Sequence, residues 1–119
     1  MKFLVLPGDG IGPEIVASAV QVLQAADQRF GLNIQLDYED VGFASLEKHG
    51  TTLRDEVLQK ARGYDGIVLG TQSHADYPAP EKGGRNISPA FRVLLDLYAN
   101  VRPARTRDYL PSNMKPGKT

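Results

Sequence analysis

Cysteine and tryptophan are absent from this 119-residue sequence, and no apolar run is long. Without cysteine there can be no disulfide scaffold, no thiolate zinc site and no Cys nucleophile, which fits a reducing compartment. The apolar run near the start, Phe3 to Leu6, is closed by Pro7 and is too short for a signal peptide or a membrane span. A cytoplasmic location and no membrane partner are therefore expected. Net charge is also missing, with 14 basic residues against 14 acidic ones. What is present, 41% hydrophobic and 24% charged residues, lies in the ordinary globular range and excludes wholesale disorder. The length suits one compact domain.

The zero balance conceals two regions of opposite sign. Residues 1–81 carry 12 acidic and 6 basic side chains, whereas residues 82–119 carry 2 acidic and 8 basic ones. A basic terminal third suits nucleic acid, an anionic small molecule or a solvated tail. Arg105, Arg107, Lys115 and Lys118 have only Tyr109 as an aromatic companion and no base-reading motif, so no nucleic-acid partner is expected.

Phe3-Leu4-Val5-Leu6 reads as a buried strand. Pro13 then suits the first turn of a helix whose apolar face is Ile15, Val16, Ala19, Val20, Leu23 and Ala26, stopped at Gly31. Ile34, Leu36 and Tyr38 alternate as a half-covered strand extending toward Val41. A short helix over 42–49 precedes a second one, capped by Thr52 and carrying Leu53, Val57, Leu58 and Ala61. Ile67-Val68-Leu69 is a further buried strand, and residues 71–87 form a polar loop. Ser88 is the expected cap of a helix holding Phe91, Val93, Leu94 and Leu97, followed by an extended Tyr98–Val101 segment entering Arg102-Pro103. This order is the βαβ rhythm of an α/β fold, a mostly parallel sheet with helices on both faces. From Ala104 onward too little apolar surface remains to pack.

Gly8, Gly10 and Gly12 fall between the first strand and the first helix, but their spacing misses the dinucleotide fingerprint. Pro13 stands at the third-glycine place, and Asp9 and Glu14 put negative charge where a pyrophosphate would need donors. A tight strand-to-helix turn is the expected role.

The second constellation is Asn86-Ile87-Ser88-Pro89-Ala90-Phe91-Arg92, with Arg102 ten residues beyond Arg92. A helix packed beside the strand it leads into would bring Arg92 and Arg102 to one cleft, where two guanidinium forks suit a di- or tricarboxylate. Asn86 and Ser88 would add neutral donors. The competing reading is a solvated Arg92 paired with Asp96 four residues on. Asn86-Ile87-Ser88 is also a glycosylation sequon, discounted because Pro89 follows it. His49 and His74 have no carboxylate partner at ligand spacing and read as surface residues.

Leu6-Pro7-Gly8-Asp9-Gly10-Ile11-Gly12-Pro13-Glu14-Ile15 resembles the opening of the isocitrate/isopropylmalate dehydrogenase family. Asp96-Leu97-Tyr98-Ala99-Asn100-Val101-Arg102-Pro103 is similar to that family's later signature. The resemblance implies the first half of the large domain of an isopropylmalate dehydrogenase-like fold over residues 1–103. Residues 104–119 would then be a linker or the start of a second domain. It further implies an oxidative decarboxylase of 3-substituted malates that uses NAD or NADP and Mg2+ or Mn2+, and is a homodimer at full length. By the same resemblance Arg92 and Arg102 hold the malate carboxylates, Ser88 and Asn86 lie where the C3 substituent is read, and Ile11 and Thr71 line the nicotinamide end of the cleft.

The family's third substrate arginine, tyrosine acid, lysine base and metal-binding aspartates come later in the chain, the lysine and one aspartate from a partner subunit. An amino-terminal fragment is therefore expected, unstable, aggregated or catalytically silent by itself, with no catalytic residue and no metal ligand of its own. Arg85, Ser88 and Pro89 stand where the isopropylmalate enzymes carry an acidic residue and a leucine pair, which favours a polar substituent. The alternative function is a non-catalytic, flavodoxin-like module that binds a small anion.

Overall fold

The computed structural model describes residues 1–103. The expected linker or second-domain start, 104–119, and the basic side chains on it lie outside the described residues.

Strand β1 (Lys2–Leu6) is fully buried from Leu4 to Leu6 and forms the middle of a three-stranded sheet. It pairs in parallel with β2 (Gln35–Tyr38) on one side and β3 (Gly66–Leu69) on the other. The register sets Leu4 between Asp37 and Ile67, and Val5 between Tyr38 and Val68. Successive strand side chains point to opposite faces, so β1 feeds two cores. Leu4 and Leu6 join Val41, Leu53, Val57, Leu58, Ala61, Ile87 and Phe91, while Val5 packs against Val16 and Val20.

Helix α1 (Gly12–Phe30) therefore covers one face. Helices α3 (Asp55–Ala61) and α4 (Ile87–Leu94) cover the other, and α2 (Phe43–His49) precedes α3. Helices on both faces of a parallel sheet match the expected architecture. Pro13 opens α1 and Gly31, at φ 62°, ends it. Its buried stripe is narrower than the periodicity suggests: Val16 and Val20 are buried, but Ile15 and Ala19 are exposed.

Several boundaries differ from the sequence reading. Thr52 does not cap α3, which starts behind Arg54. It is instead fully buried, its hydroxyl accepting from the Arg85 N–H at 2.7 Å and donating to the Arg85 carbonyl at 2.9 Å. Ser88 lies inside α4, whose N-cap is Asn86. Helix α4 stops before Leu97 because Asp96 takes a left-handed φ of 50°. The Asp96 N–H returns to the Val93 carbonyl and the Leu97 N–H to the Arg92 carbonyl, a Schellman ending. Asp96 is thus the turn residue that ends the helix, and its pairing with Arg92 is not among the salt bridges of the described residues. Tyr98–Val101 forms no strand among the described residues, and Tyr98 and Val101 are exposed. An extended pattern becomes a strand only against a partner's N–H and C=O groups.

Candidate functional site

In open parallel sheets the ligand crevice lies beyond the carboxyl ends of the strands. Here three loops leave those ends: residues 7–11 after β1, 39–42 after β2, and 70–86 after β3. Asp9 joins all three. Its buried carboxylate accepts from the Phe43 N–H at 2.7 Å through Oδ1, and from the Ser73 N–H at 3.1 Å through Oδ2. The Tyr77 hydroxyl donates a short hydrogen bond to the same Oδ2. The Asp9 backbone also engages Thr71: its N–H donates to the Thr71 carbonyl at 2.7 Å, and its carbonyl accepts from the Thr71 hydroxyl at 2.7 Å.

This packing needs glycine beside it. Gly8 has φ 76°, and a Cβ there would overlap the Thr71 carbonyl. Tyr77 is held further by an edge-to-face contact with Phe43, ring centroids 5.2 Å apart. Burial first, then the Asp9 carboxylate, pushes the Tyr77 hydroxyl well above its ordinary value. It stays a proton donor throughout the physiological range.

From this hub the contacts run on to α4. The Gln72 side-chain oxygen accepts from the Ser88 N–H at 3.2 Å, while its nitrogen donates to the Gly70 carbonyl at 3.1 Å. Asn86, the N-cap, gives no side-chain cap to α4, so Gln72 satisfies a first-turn donor from outside the helix.

The structure therefore places Ile11 and Thr71 on loops joined through Asp9, and ties Ser88, in the first turn of α4, to the Thr71 loop through Gln72. Ile11 is exposed at the α1 N-cap, Thr71 and Asn86 are exposed, and Ser88 is half-buried. Arg92 and Arg102 are both exposed, one on α4 and one on the segment after it. Open clefts of about 410, 380 and 230 Å³ lie elsewhere, and neither arginine lines them. Arg85 is turned away from the Ser88 neighbourhood. Its guanidinium donates to the Leu53 carbonyl at 3.0 Å and to Asp55 at 2.7 Å. His49 and His74 are exposed, as read from the sequence.

Sequence reasoning missed Gln72, Ser73 and Tyr77, which sit in a loop with no motif spacing. The one legible signal was an acid between two glycines, a carboxylate placed where the backbone turns sharply. As expected, the glycine loop is a tight turn. It does not fit a pyrophosphate, because the Asp9 carboxylate already takes the nearby donors. Among the described residues no group of three or more His, Asp or Glu side chains is placed to hold a metal ion.

The pattern of the isocitrate/isopropylmalate dehydrogenase family matches residues 2–118. The chain is 45% identical over 109 residues to 3-isopropylmalate dehydrogenase of Xanthomonas axonopodis pv. citri (strain 306), covering 87% of this chain and 29% of that protein. It is 44% identical over 108 residues to 3-isopropylmalate dehydrogenase of Pseudomonas putida, with the same coverage. Among solved structures, the apo β-decarboxylating dehydrogenase of Thermococcus kodakarensis superposes with a TM-score of 0.64 at 29% identity, over 80% of this chain and 26% of that one. Isocitrate dehydrogenase of Methylococcus capsulatus gives 0.63 at 34% identity, over 79% and 26%. The chain thus spans less than a third of the length of these relatives.

Proposed function

Since the chain belongs to the isocitrate/isopropylmalate dehydrogenase family, we propose that it is the substrate-side portion of an NAD(P)-dependent oxidative decarboxylase of 3-substituted malates. Arg92 and Arg102 bind the malate carboxylates, each fork offering two parallel N–H donors. Asn86 and Ser88, at the start of α4, meet the C3 substituent. Ile11 and Thr71 line the nicotinamide end. The relatives named 3-isopropylmalate dehydrogenase point to an isopropyl group there, whereas the hydroxyl of Ser88 and the amide of Asn86 favour a smaller or polar one.

Support for the nicotinamide assignment is local. Gly10 has open space where a Cβ would stand, and Ile11 beside it is exposed, so both are accessible to a ligand at this end of the sheet. Ile11 and Thr71 would hold the nicotinamide, which would supply the acceptor for the hydride leaving C2 of the hydroxy acid ahead of decarboxylation. This chain's own residues bind and orient: two arginines fix the carboxylates, and the Asp9-centred loops set the cofactor side. A divalent metal and the acid–base groups belong to residues other than these, and the whole protein acts as a cytoplasmic homodimer.

The observation that carries this reading is the hydrogen-bonded connection from the glycine loop through Thr71 and Gln72 to Ser88, within a family-matched chain. Calorimetric titration with malate, isocitrate, tartrate and 3-isopropylmalate tests it. Binding of at least one 3-substituted malate is expected, weakened about tenfold or more in Arg92→Ala and in Arg102→Ala, the loss of a charge-assisted pair. Equal affinity in parent and both variants would overturn it.

A further inference from the structure

We propose that Gln72 is a positioning residue that couples the cofactor-side loop to the substrate-side helix, with Asp9 as the fixed point of the relay. The inference rests on the reading of Ser88 as a substrate contact and adds what holds Ser88 in place. The sequence of contacts is continuous. Asp9 fixes Ser73 through its carboxylate and Thr71 through its backbone, on either side of Gln72. The Gln72 backbone is therefore clamped at both neighbours, and its side chain bridges the Gly70 carbonyl and the Ser88 N–H.

The chemistry of a carboxamide suits this task. One end accepts and the other donates, so a single planar group joins the end of β3 to the first turn of α4. A free helix N-terminus would rely on its own N-cap, but Asn86 supplies no side-chain cap here. The register of Ser88 relative to Thr71 is consequently set across the loop. A shift of the glycine loop that carries Ile11 would be felt at Ser88, although Asp9 does not touch Ser88.

Amide hydrogen exchange of the full chain, read at Ser88, tests this without any ligand. Gln72→Ala is expected to speed Ser88 exchange about tenfold. Asp9→Asn, whose side chain makes no contact with Ser88, is expected to speed it about threefold or more, in the range of coupled neighbours. In the double variant exchange should be no faster than in Gln72→Ala alone. Gln72→Glu keeps an oxygen facing the Ser88 N–H but loses the donor to the Gly70 carbonyl, so protection between that of Gln72→Ala and that of the parent is expected. Should Asp9→Asn fail to fold, Tyr77→Phe removes one donor from the same carboxylate and is expected to act in the same direction. Parent-like Ser88 exchange in Asp9→Asn, or in Tyr77→Phe where it stands in, would overturn the relay. Effects that multiply in the double variant would overturn it too.

A titration with isocitrate, tartrate and 3-isopropylmalate, followed at the Ser88 amide resonance, separates the two readings. A shift that Gln72→Ala abolishes and Gln72→Glu partly restores supports both. An intact relay with no response of Ser88 to any of the three overturns the assignment of Ser88 to the C3 substituent and leaves the relay standing.

Discussion

The carboxylate of Asp9 fills the space beside Gly42 in which any other residue would carry its Cβ. Gly42 also has φ 71°, a region that L side chains rarely adopt. One residue's missing side chain thus makes room for another's charge, and the charge meets the Phe43 N–H at the start of α2. Gly42→Ala is expected to destabilise the chain by about 2 kcal/mol or more, from strain and overlap together. In an Asp9→Ala background the added loss should be smaller, since the overlap is gone. Denaturant midpoints of the four variants in that cycle check this, and strict additivity would refute it.

Glu39 sits between Lys60 at 2.8 Å and Arg54 at 2.6 Å, which ties the end of β2 to α3. The hydrogen bond from Lys60 is the chief cause holding its carboxyl below the ordinary 4.5; burial opposes this and Arg54 adds to it. The folded state therefore binds this proton less readily than the unfolded chain. Its contribution is present above the unfolded value and lost as pH falls through the folded one. Glu39→Gln should lower stability at neutral pH and flatten the acid limb below about pH 4.5. Urea unfolding across that range reads both, and an unchanged acid limb would contradict the assignment.

Asp96 holds the left-handed position that ends α4. Glycine adopts that conformation without steric penalty, so Asp96→Gly should stabilise by about 0.5–1 kcal/mol. Asp96→Ala should destabilise by a similar amount. Thermal unfolding distinguishes the two signs. A glycine variant less stable than the parent would show that the Asp96 side chain matters more than its backbone.

Thr52 bridges both backbone groups of Arg85 from a fully buried position. Thr52→Val keeps the shape but leaves an N–H and a C=O without partners, a loss of about 2 kcal/mol. Thr52→Ser retains the hydroxyl and should lose less. If valine proved as stable as threonine, the bridge would carry no net weight.

Much of the fold was legible along the chain. The apolar runs at Phe3–Leu6 and Ile67–Leu69, Pro13 at the head of α1, and Gly31 and Gly50 at helix ends all express local rules of backbone and side chain. Tyr98–Val101 showed the limit of those rules, since its extended pattern found no strand partner among the described residues. At the site, Asn86 and Ser88 were marked by the pattern ahead of Arg92 and Ile11 and Thr71 by family resemblance alone, while Asp9 and Gln72 connect the segments that carry Ile11, Thr71 and Ser88. Gln72 and Tyr77 had no motif, because their partners, Ser88 and Asp9, stand 16 and 68 positions away.

By itself the sequence determined the strands β1 and β3 and the proline- and glycine-marked ends of α1, because glycine, proline and apolar spacing act within a few residues. Only the tertiary structure decided what the acid in the glycine loop does. A carboxylate seeks donors wherever the fold brings them, and those from Phe43, Ser73 and Tyr77 meet at Asp9 only once three parallel strands have set their carboxyl ends side by side.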